Sequence, residues 1–133
     1  MQKRARKAEF DQKTRKIIKE RDDDQCIFCQ MRYHMEKAKP ADLQIKSIMH
    51  FIPRSKGGLG IPENGAVGCQ YHHDMLDNGN GGYREEMLEL FEEYLQSVCD
   101  DWDKAKLKYD KWAFLKVQEK NDGKREENYV NPS

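Results

Sequence analysis

The stretch MHFIPRSKGGLGIPENGAVGCQYHHDMLDN, residues 49–78, concentrates the side chains of this chain that can bind metals or transfer protons. It holds three of the four histidines, one of the four cysteines and two glycine clusters. A short apolar run leads into a glycine loop, a second apolar run follows at 66–69, and the end has helical character. We therefore predict the order strand, loop, strand, helix, with potential metal ligands at both ends.

The residues before this stretch predict a basic helix and a strand. Residues 4–21 consist mostly of good helix formers. The narrow apolar face of this helix is made by Phe10, Ile17 and Ile18. The polar segment 30–44 is ambiguous, and Pro40 is expected to break any helix within it. Weak alternation over 44–52 predicts a strand that Pro53 ends.

The residues after this stretch predict helices. Arg84–Val98 carries the clearest helical pattern, with apolar residues every third or fourth position and acidic residues between them. We expect a second helix to begin near Trp102, capped by Asp100 or Asp101. Its apolar face would contain Trp102, Ala105, Tyr109 and Trp112. The predicted organisation is a basic helix in 1–21, a core in 22–83, helices in 84–120 and a disordered tail in 121–133.

Composition predicts one small domain. The chain has 133 residues, of which 37% are hydrophobic and 36% charged, so the core is small and a metal or a disulfide would help to hold it together. Net charge is zero, but residues 1–21 contain nine Lys/Arg against three Asp/Glu. This basic end suits either a phosphate backbone or the solvated face of a helix.

The lack of targeting patterns in the sequence predicts a cytoplasmic location. No apolar run reaches membrane-spanning length, and no signal-peptide pattern is present. We therefore expect a cytoplasmic protein without a membrane partner. Cysteines in that compartment are better explained as metal ligands or free thiols than as disulfides.

Two ligand pairs predict a structural zinc site. Cys26-x-x-Cys29 and Cys69-x-x-His72 each have the two-residue spacer that turns both donors toward one metal ion. The alternative is that these are unrelated small core residues. The 39 residues between Cys29 and Cys69 would form an insert that zinc clips at its base. Cys99 is left over as a buried or free thiol.

His73 and Asp77 form a second candidate pair. On a helix, residues four apart share a face, so these two side chains would supply half of a divalent-metal site. A simple surface hydrogen bond is the alternative. His50 would approach from the facing strand.

Five elements occur in a fixed order along residues 20–80. They are Cys26-x-x-Cys29, His50-x-Ile-Pro-Arg-Ser-x-Gly-Gly, Glu63-Asn64-Gly65, Cys69-x-x-His72 and His73-x-x-x-Asp77. This pattern resembles the HNH (ββα-metal) endonuclease family found in phages and mobile elements. The resemblance implies an α+β fold, in which a ββα core clipped by zinc is flanked by an N-terminal helix and C-terminal helices.

The resemblance also implies roles for individual residues. His50 would be the general base that takes a proton from water. Asn64 would hold the loop, orient that histidine and, as in some members, touch the metal. His73 and Asp77 would bind a catalytic divalent cation such as Mg²⁺ or Mn²⁺. Arg54 would clamp a phosphate, with a surface salt bridge as its alternative role.

Two positions depart from the family pattern. Met49 stands where many members have an Asp or His that binds the catalytic metal, and a thioether is a poor ligand for hard cations. His72 replaces the more usual fourth cysteine of the zinc site, a change that zinc tolerates.

The resulting expectation is an endonuclease that hydrolyses DNA. Cutting both strands with one site per chain would need a dimer or two events. The helices in 84–120 would support either self-association or packing on the core. The rival functions are a catalytically impaired nucleic-acid-binding module and a protein that docks on a large assembly such as a phage packaging enzyme.

Overall fold

The computed structural model describes residues 8–108. Within them, helices and strands follow in the order α1 (Gln12–Arg21), α2 (Ile27–Gln30), α3 (Pro40–Gln44), β1 (Lys46–His50), β2 (Gly65–Cys69), α4 (Gln70–Asn78) and α5 (Arg84–Val98). The fold is thus mixed α and β, as predicted. No helix among the described residues is both long enough and apolar enough to cross a bilayer.

The two strands pair antiparallel and place residues on two covered faces. Their register aligns Ile48 with Val67 and Met49 with Ala66. Ile48 and Val67 pack with Phe10 and Ile18 in a small apolar cluster on the α1 side. The other face joins the main core, which α2, α4 and α5 cover.

Helix α5 supplies the centre of the main core. Met87, Phe91 and Leu95 are fully buried, and they repeat at the spacing that brings side chains to one helix face. The Phe91 ring makes edge-on contacts with Phe28 and Phe51, with centroids 6.2 and 5.4 Å apart. The predicted helix at Arg84–Val98 is confirmed with these bounds.

A buried carboxylate ties α1 to the sheet and to α5. The Asp22 side chain is inaccessible to solvent, pairs with the Arg21 guanidinium at 2.7 Å, and accepts hydrogen bonds from the Val67 N–H and the Tyr94 hydroxyl. Arg21 also donates to the carbonyl of Gly65 at 2.7 Å. Because each of these groups is satisfied, the network links three elements without an orphaned buried charge.

The N-terminal half differs from the prediction in two places. Helix α1 begins at Gln12 because Asp11 accepts a hydrogen bond from the Thr14 N–H and caps it. Phe10 therefore precedes the helix, and Ile17 is 43% exposed, so the predicted apolar face was wrong. Pro40 begins helix α3 rather than breaking one, because proline is favoured in the first turn.

The C-terminal region also differs. After Val98 the described residues contain one short 3-10 helix, Lys104–Lys106, which Asp103 caps. The longer helix expected from Trp102 with Asp100 or Asp101 as its cap is therefore not found up to residue 108. The Trp102 indole instead donates to the Glu63 carbonyl at 2.8 Å, and the Leu59 N–H donates to the Leu107 carbonyl at 2.8 Å. The segment to 108 thus packs back on the β1–β2 loop. Tyr109, Trp112 and the expected tail in 121–133 lie outside the described residues.

Candidate metal centres and the adjoining cleft

Four predicted ligands converge on one point. Cys26 and Cys29 lie at the start of α2, Cys69 ends β2, and His72 lies in the first turn of α4. Their sulfur atoms and one histidine nitrogen lie within 4.8 Å of one another. Residues from two separate parts of the chain are therefore positioned to bind one metal ion.

The spacing of these donor atoms fits tetrahedral coordination. The sulfur atoms of Cys29 and Cys69 are 3.6 Å apart, and Nδ1 of His72 lies 3.3 Å from the Cys69 sulfur. Bonds of about 2.3 Å to sulfur and 2.0 Å to nitrogen place tetrahedral ligands about 3.5–3.8 Å apart. The cluster matches that distance closely.

Backbone groups at the starts of α2 and α4, and the Tyr33 carbonyl, orient the side chains of this cluster. The sulfur atoms of Cys26 and Cys69 precede α2 and α4 and accept backbone N–H groups of the first turns at 3.4 and 3.5 Å. A helix N-terminus favours negative charge, and the Cys69 sulfur at the start of α4 is the one whose pKa is lowered, whereas the hydrogen bond to Cys69 and burial raise the pKa of Cys26. Nε2 of His72 lies 2.6 Å from the Tyr33 carbonyl, which leaves Nδ1 to bind a metal.

The thiol groups of the cluster shift one another's pKa values. Burial, followed by the charge of the Cys69 sulfur, raises the pKa of Cys29 to about 11. A hydrogen bond from the Cys26 thiol is the main reason that the pKa of Cys69 falls to about 3. One thiolate is thus favoured without a metal, and a second or third needs the compensating charge of a bound cation.

A separate cleft of about 380 Å³ opens beside β1 and α4. Its lining includes His50, Arg54, His73 and Asp77, four residues that the sequence singled out. The lining is completed by Phe51, Pro53, Ser55, Lys56, Leu76, Arg84 and Leu88. The structure therefore brings His50 of β1 and His73 of α4 to the same cleft. The cationic side chains of the lining are Arg54, Lys56 and Arg84.

His73 and Asp77 share a face of α4, as predicted. Nε2 of His73 lies 3.1 Å from Oδ2 of Asp77. The hydroxyl of Ser47, on β1, lies 2.8 Å from the other ring nitrogen, Nδ1. The His73–Asp77 distance is that of a hydrogen bond between the ring and the carboxylate, the alternative considered for this pair. It also equals the separation of about 3 Å between neighbouring ligands of an octahedral cation with 2.1 Å bonds.

His50 is held by the segment that precedes α1. Its Nε2 lies 2.8 Å from the Ala8 carbonyl, and its ring packs on Phe10 with centroids 4.2 Å apart. Burial lowers the pKa of His50 below its ordinary value of 6.5, and the nearby positive charge of Arg54 lowers it further. The neutral ring that results donates from Nε2 and keeps a lone pair on Nδ1.

Asn64 is fully buried beneath the loop that joins the strands. Its side chain accepts the Ile52 N–H at 2.8 Å and donates to the carbonyls of Ile52 and Leu59 at 3.1 and 2.8 Å. A Cβ at Gly58 would overlap the Ile52 carbonyl at 1.7 Å, so glycine is required for this close approach. Asn64 thus holds the residues that follow His50, and it does not line the cleft. We therefore leave Asn64 out of the candidate metal site.

Met49 also turns away from the cleft. Its side chain is fully buried in the main core and lies over Gly68, where an added Cβ would come within 2.3 Å of the Met49 sulfur. Met49, the residue at which the sequence departed from the resembled pattern, is thus a core residue.

Sequence reasoning missed four contributors to the cleft. Lys56 and Arg84 line it, Ser47 contacts His73, and the Ala8 carbonyl contacts His50. The Arg84 guanidinium donates to the Leu76 carbonyl at the end of α4, at 2.6 Å. Local spacing could not find Ala8, Ser47 and Arg84, because each takes its place through a contact with another part of the fold. Arg54 is exposed and lies 3.9 Å from Glu9, a weak surface pair.

Comparisons with protein-family models, curated proteins and solved structures gave no match for this chain. Functional inference therefore rests on the two groups of residues described above.

Proposed function

We propose that this chain is a metal-dependent endonuclease of the HNH type that hydrolyses phosphodiester bonds of DNA. The observation that carries the proposal is the convergence of His50, His73 and Asp77 on one cleft, with a ring nitrogen and a carboxylate at ligand spacing. The cleft also holds Arg54, Lys56 and Arg84, which suit a substrate with charged phosphates.

His73 and Asp77 would hold the divalent cation. When bound, the cation would polarise the scissile phosphate and stabilise charge on the leaving 3′ oxygen. Ser47 keeps the His73 ring in place by its contact with Nδ1, and this leaves Nε2 directed toward Asp77.

His50 would act as the general base. With Nε2–H donated to the Ala8 carbonyl, Nδ1 can take a proton from the water whose oxygen attacks phosphorus. As that P–O bond forms, the bond to the 3′ oxygen breaks, and the leaving oxygen takes a proton from solvent water, giving a 5′ phosphate and a 3′ hydroxyl. The lowered pKa of His50 keeps the ring neutral, and so able to accept the proton, at neutral pH.

The cation held by Cys26, Cys29, Cys69 and His72 would be structural zinc. Three sulfurs and one imidazole suit zinc better than magnesium or calcium, which prefer oxygen ligands. The cluster fixes α2 against the start of α4, and α4 carries His73 and Asp77. Zinc would thus support the cleft without entering its chemistry.

A second candidate function follows from Met49. Because this residue is buried in the core, the proposed side-chain ligands among residues 8–108 are reduced to His73 and Asp77. A chain with two such ligands could bind nucleic acid, or dock on a larger assembly, without cutting. This candidate predicts salt-sensitive binding without metal-dependent cleavage.

Nicking of supercoiled plasmid separates the two candidates. Purified, zinc-loaded protein is incubated with Mg²⁺, Mn²⁺, Ni²⁺ or EDTA, beside His50→Ala and the matched control His34→Ala, which changes a histidine outside the cleft. We expect metal-dependent nicking that falls about 10²–10⁴-fold in His50→Ala and is retained in His34→Ala. Folded, zinc-loaded protein that cuts with none of these metals would reject the nuclease proposal.

A further inference from the structure

A second groove lies between α1 and β1, on the strand face opposite the main core. It encloses about 290 Å³. Its lining comprises Arg15 and Lys19 of α1, Lys46, Ser47 and Ile48 of β1, and Asp24, Gln44 and Val67. None of these residues lines the catalytic cleft, so the groove is a distinct surface.

The charge of the groove is mainly positive. Three cationic side chains face one carboxylate, that of Asp24. Lys46 donates to the Asp24 carbonyl at 3.0 Å and keeps two further N–H donors. Arg15 donates from Nε to the Phe10 carbonyl at 2.9 Å, which leaves its terminal nitrogens available. Lys19 is exposed and its ammonium group has no partner among residues 8–108. The groove therefore offers several free donors to an anion.

The groove and the cleft adjoin each other at one side-chain contact. Ser47 lines the groove, and its hydroxyl contacts the ring of His73, which lines the cleft. A polyanion that occupies the cleft can therefore continue past the edge of β1 into the groove. Arg15 and Lys19 are one helical turn apart, about 6 Å along α1, so they can contact different phosphates of one backbone.

We propose that this groove binds the DNA backbone beside the bond that is cut, with Lys19 and Lys46 contacting phosphates. The inference rests on the proposed nuclease function for the identity of the polyanion. Backbone contacts carry no sequence information, so the groove adds affinity and register rather than base specificity.

The test uses one pair of charge reversals on the same helix. Lys19→Glu changes a groove residue, and Lys13→Glu makes the same change at an exposed position of α1 outside the groove. Both are placed in full-length, zinc-loaded His50→Ala protein, so that DNA is bound without being cut. Binding of a fluorescent 30-base-pair duplex is measured by anisotropy from 50 to 300 mM KCl. Lys46→Ala is measured as a second groove variant, with zinc content as a check because Lys46 lies beside Cys29.

We expect Lys19→Glu to weaken binding about tenfold and to reduce the slope of log K against log [salt] by about 1, with Lys13→Glu within about twofold of the parent. Equal binding by the two reversals, or no binding by the parent, would overturn the groove inference. The same groove substitutions are also made in protein that keeps His50, and plasmid nicking by these variants tests the nuclease activity separately. Groove-dependent binding without nicking would reject the nuclease and leave the groove in place.

Discussion

The hydroxyl of Ser47 lies 2.8 Å from Nδ1 of His73, on the side of the ring away from the Asp77 carboxylate. Nε2 is thereby the ring nitrogen that faces the carboxylate, where a ring N–H donates to Asp77 while the Ser47 hydroxyl donates to Nδ1. A divalent cation bound to Nε2 and Asp77 would require the ring proton on Nδ1, and the Ser47 hydroxyl can accept it there.

Ser47→Ala is expected to weaken divalent-cation binding about 10–100-fold, because it removes the partner that orients a metal-binding histidine. Titration of zinc-loaded protein with Mn²⁺, followed by electron paramagnetic resonance, measures the free ion directly. Ser55→Ala is the matched control, since Ser55 also lines the cleft. Equal Mn²⁺ affinity in the two variants would mean that the Ser47 contact does not organise the site.

Nuclease activity should fall in acid with a midpoint below pH 6.5, because burial lowers the pKa of His50 from its ordinary value of 6.5. The base is active when neutral, so the rate is at its plateau above that pKa and is lost as the pH falls through it. The rate of nicking between pH 5 and 8 at saturating metal gives the midpoint. Replacing Arg54 by Gln removes a neighbouring positive charge and should raise the midpoint; a downward shift would contradict this electrostatic account.

The same shift has a consequence for stability. A histidine whose pKa is lower in the folded state favours folding above its unfolded pKa of about 6.5, and this contribution is lost as the pH falls. His50→Gln should therefore unfold with a weaker pH dependence than the parent between pH 5 and 7. Urea unfolding across that range gives the free energies, and identical pH dependences would contradict the assignment.

Asn64→Ala is expected to lower the free energy of unfolding by about 2–4 kcal/mol, because it leaves buried backbone groups of Ile52 and Leu59 without partners. Asn78→Ala at the exposed end of α4 is the control, with a change within about 0.5 kcal/mol. Mn²⁺ affinity measured on folded Asn64→Ala protein separates the two roles that the family resemblance implies. A large loss of affinity with unchanged stability would restore Asn64 as a metal ligand.

Removal of the proposed zinc should unfold the protein. Binding to a thiolate–imidazole cluster contributes about 10 kcal/mol or more in small zinc domains, comparable to the whole stability of a domain. Cys69→Ser is expected to lose the metal and the cooperative thermal transition, as measured by elemental analysis and circular dichroism. Cys99→Ser should retain one zinc per chain and lie within about 1 kcal/mol of the parent, since Cys99 lies outside the cluster. A stable, metal-free parent would refute a structural role for zinc.

The positions that sequence reasoning identified correctly are those whose geometry is local. The two-residue spacer of each ligand pair and the four-residue spacing of His73 and Asp77 place donors together within one or two helical turns, whatever the rest of the chain does. The same holds for helix α5, whose apolar repeat is long enough to specify a helix without ambiguity.

The errors occur where local preferences were weak and packing decided the outcome. Phe10 fits a helical pattern, yet it lies outside α1, which Asp11 caps, and its ring packs in a cluster with Ile18 and Val67. Trp102 suggested a helix, yet its indole is held by the Glu63 carbonyl, 39 positions earlier. Neither contact partner is near in sequence, so no periodicity could indicate it.

The chain's own order of residues was sufficient to predict the two ligand pairs, Cys26 with Cys29 and Cys69 with His72, because a two-residue spacer brings the donors of one pair together. Only the tertiary structure showed that the two pairs, separated by 39 residues, meet at one point. The tertiary structure was needed to show that the Ala8 carbonyl holds His50, that Ser47 orients His73, and that Met49 is a core residue. These three relationships depend on which surfaces bury apolar area against one another, a property of the whole folded chain that sequence spacing does not encode.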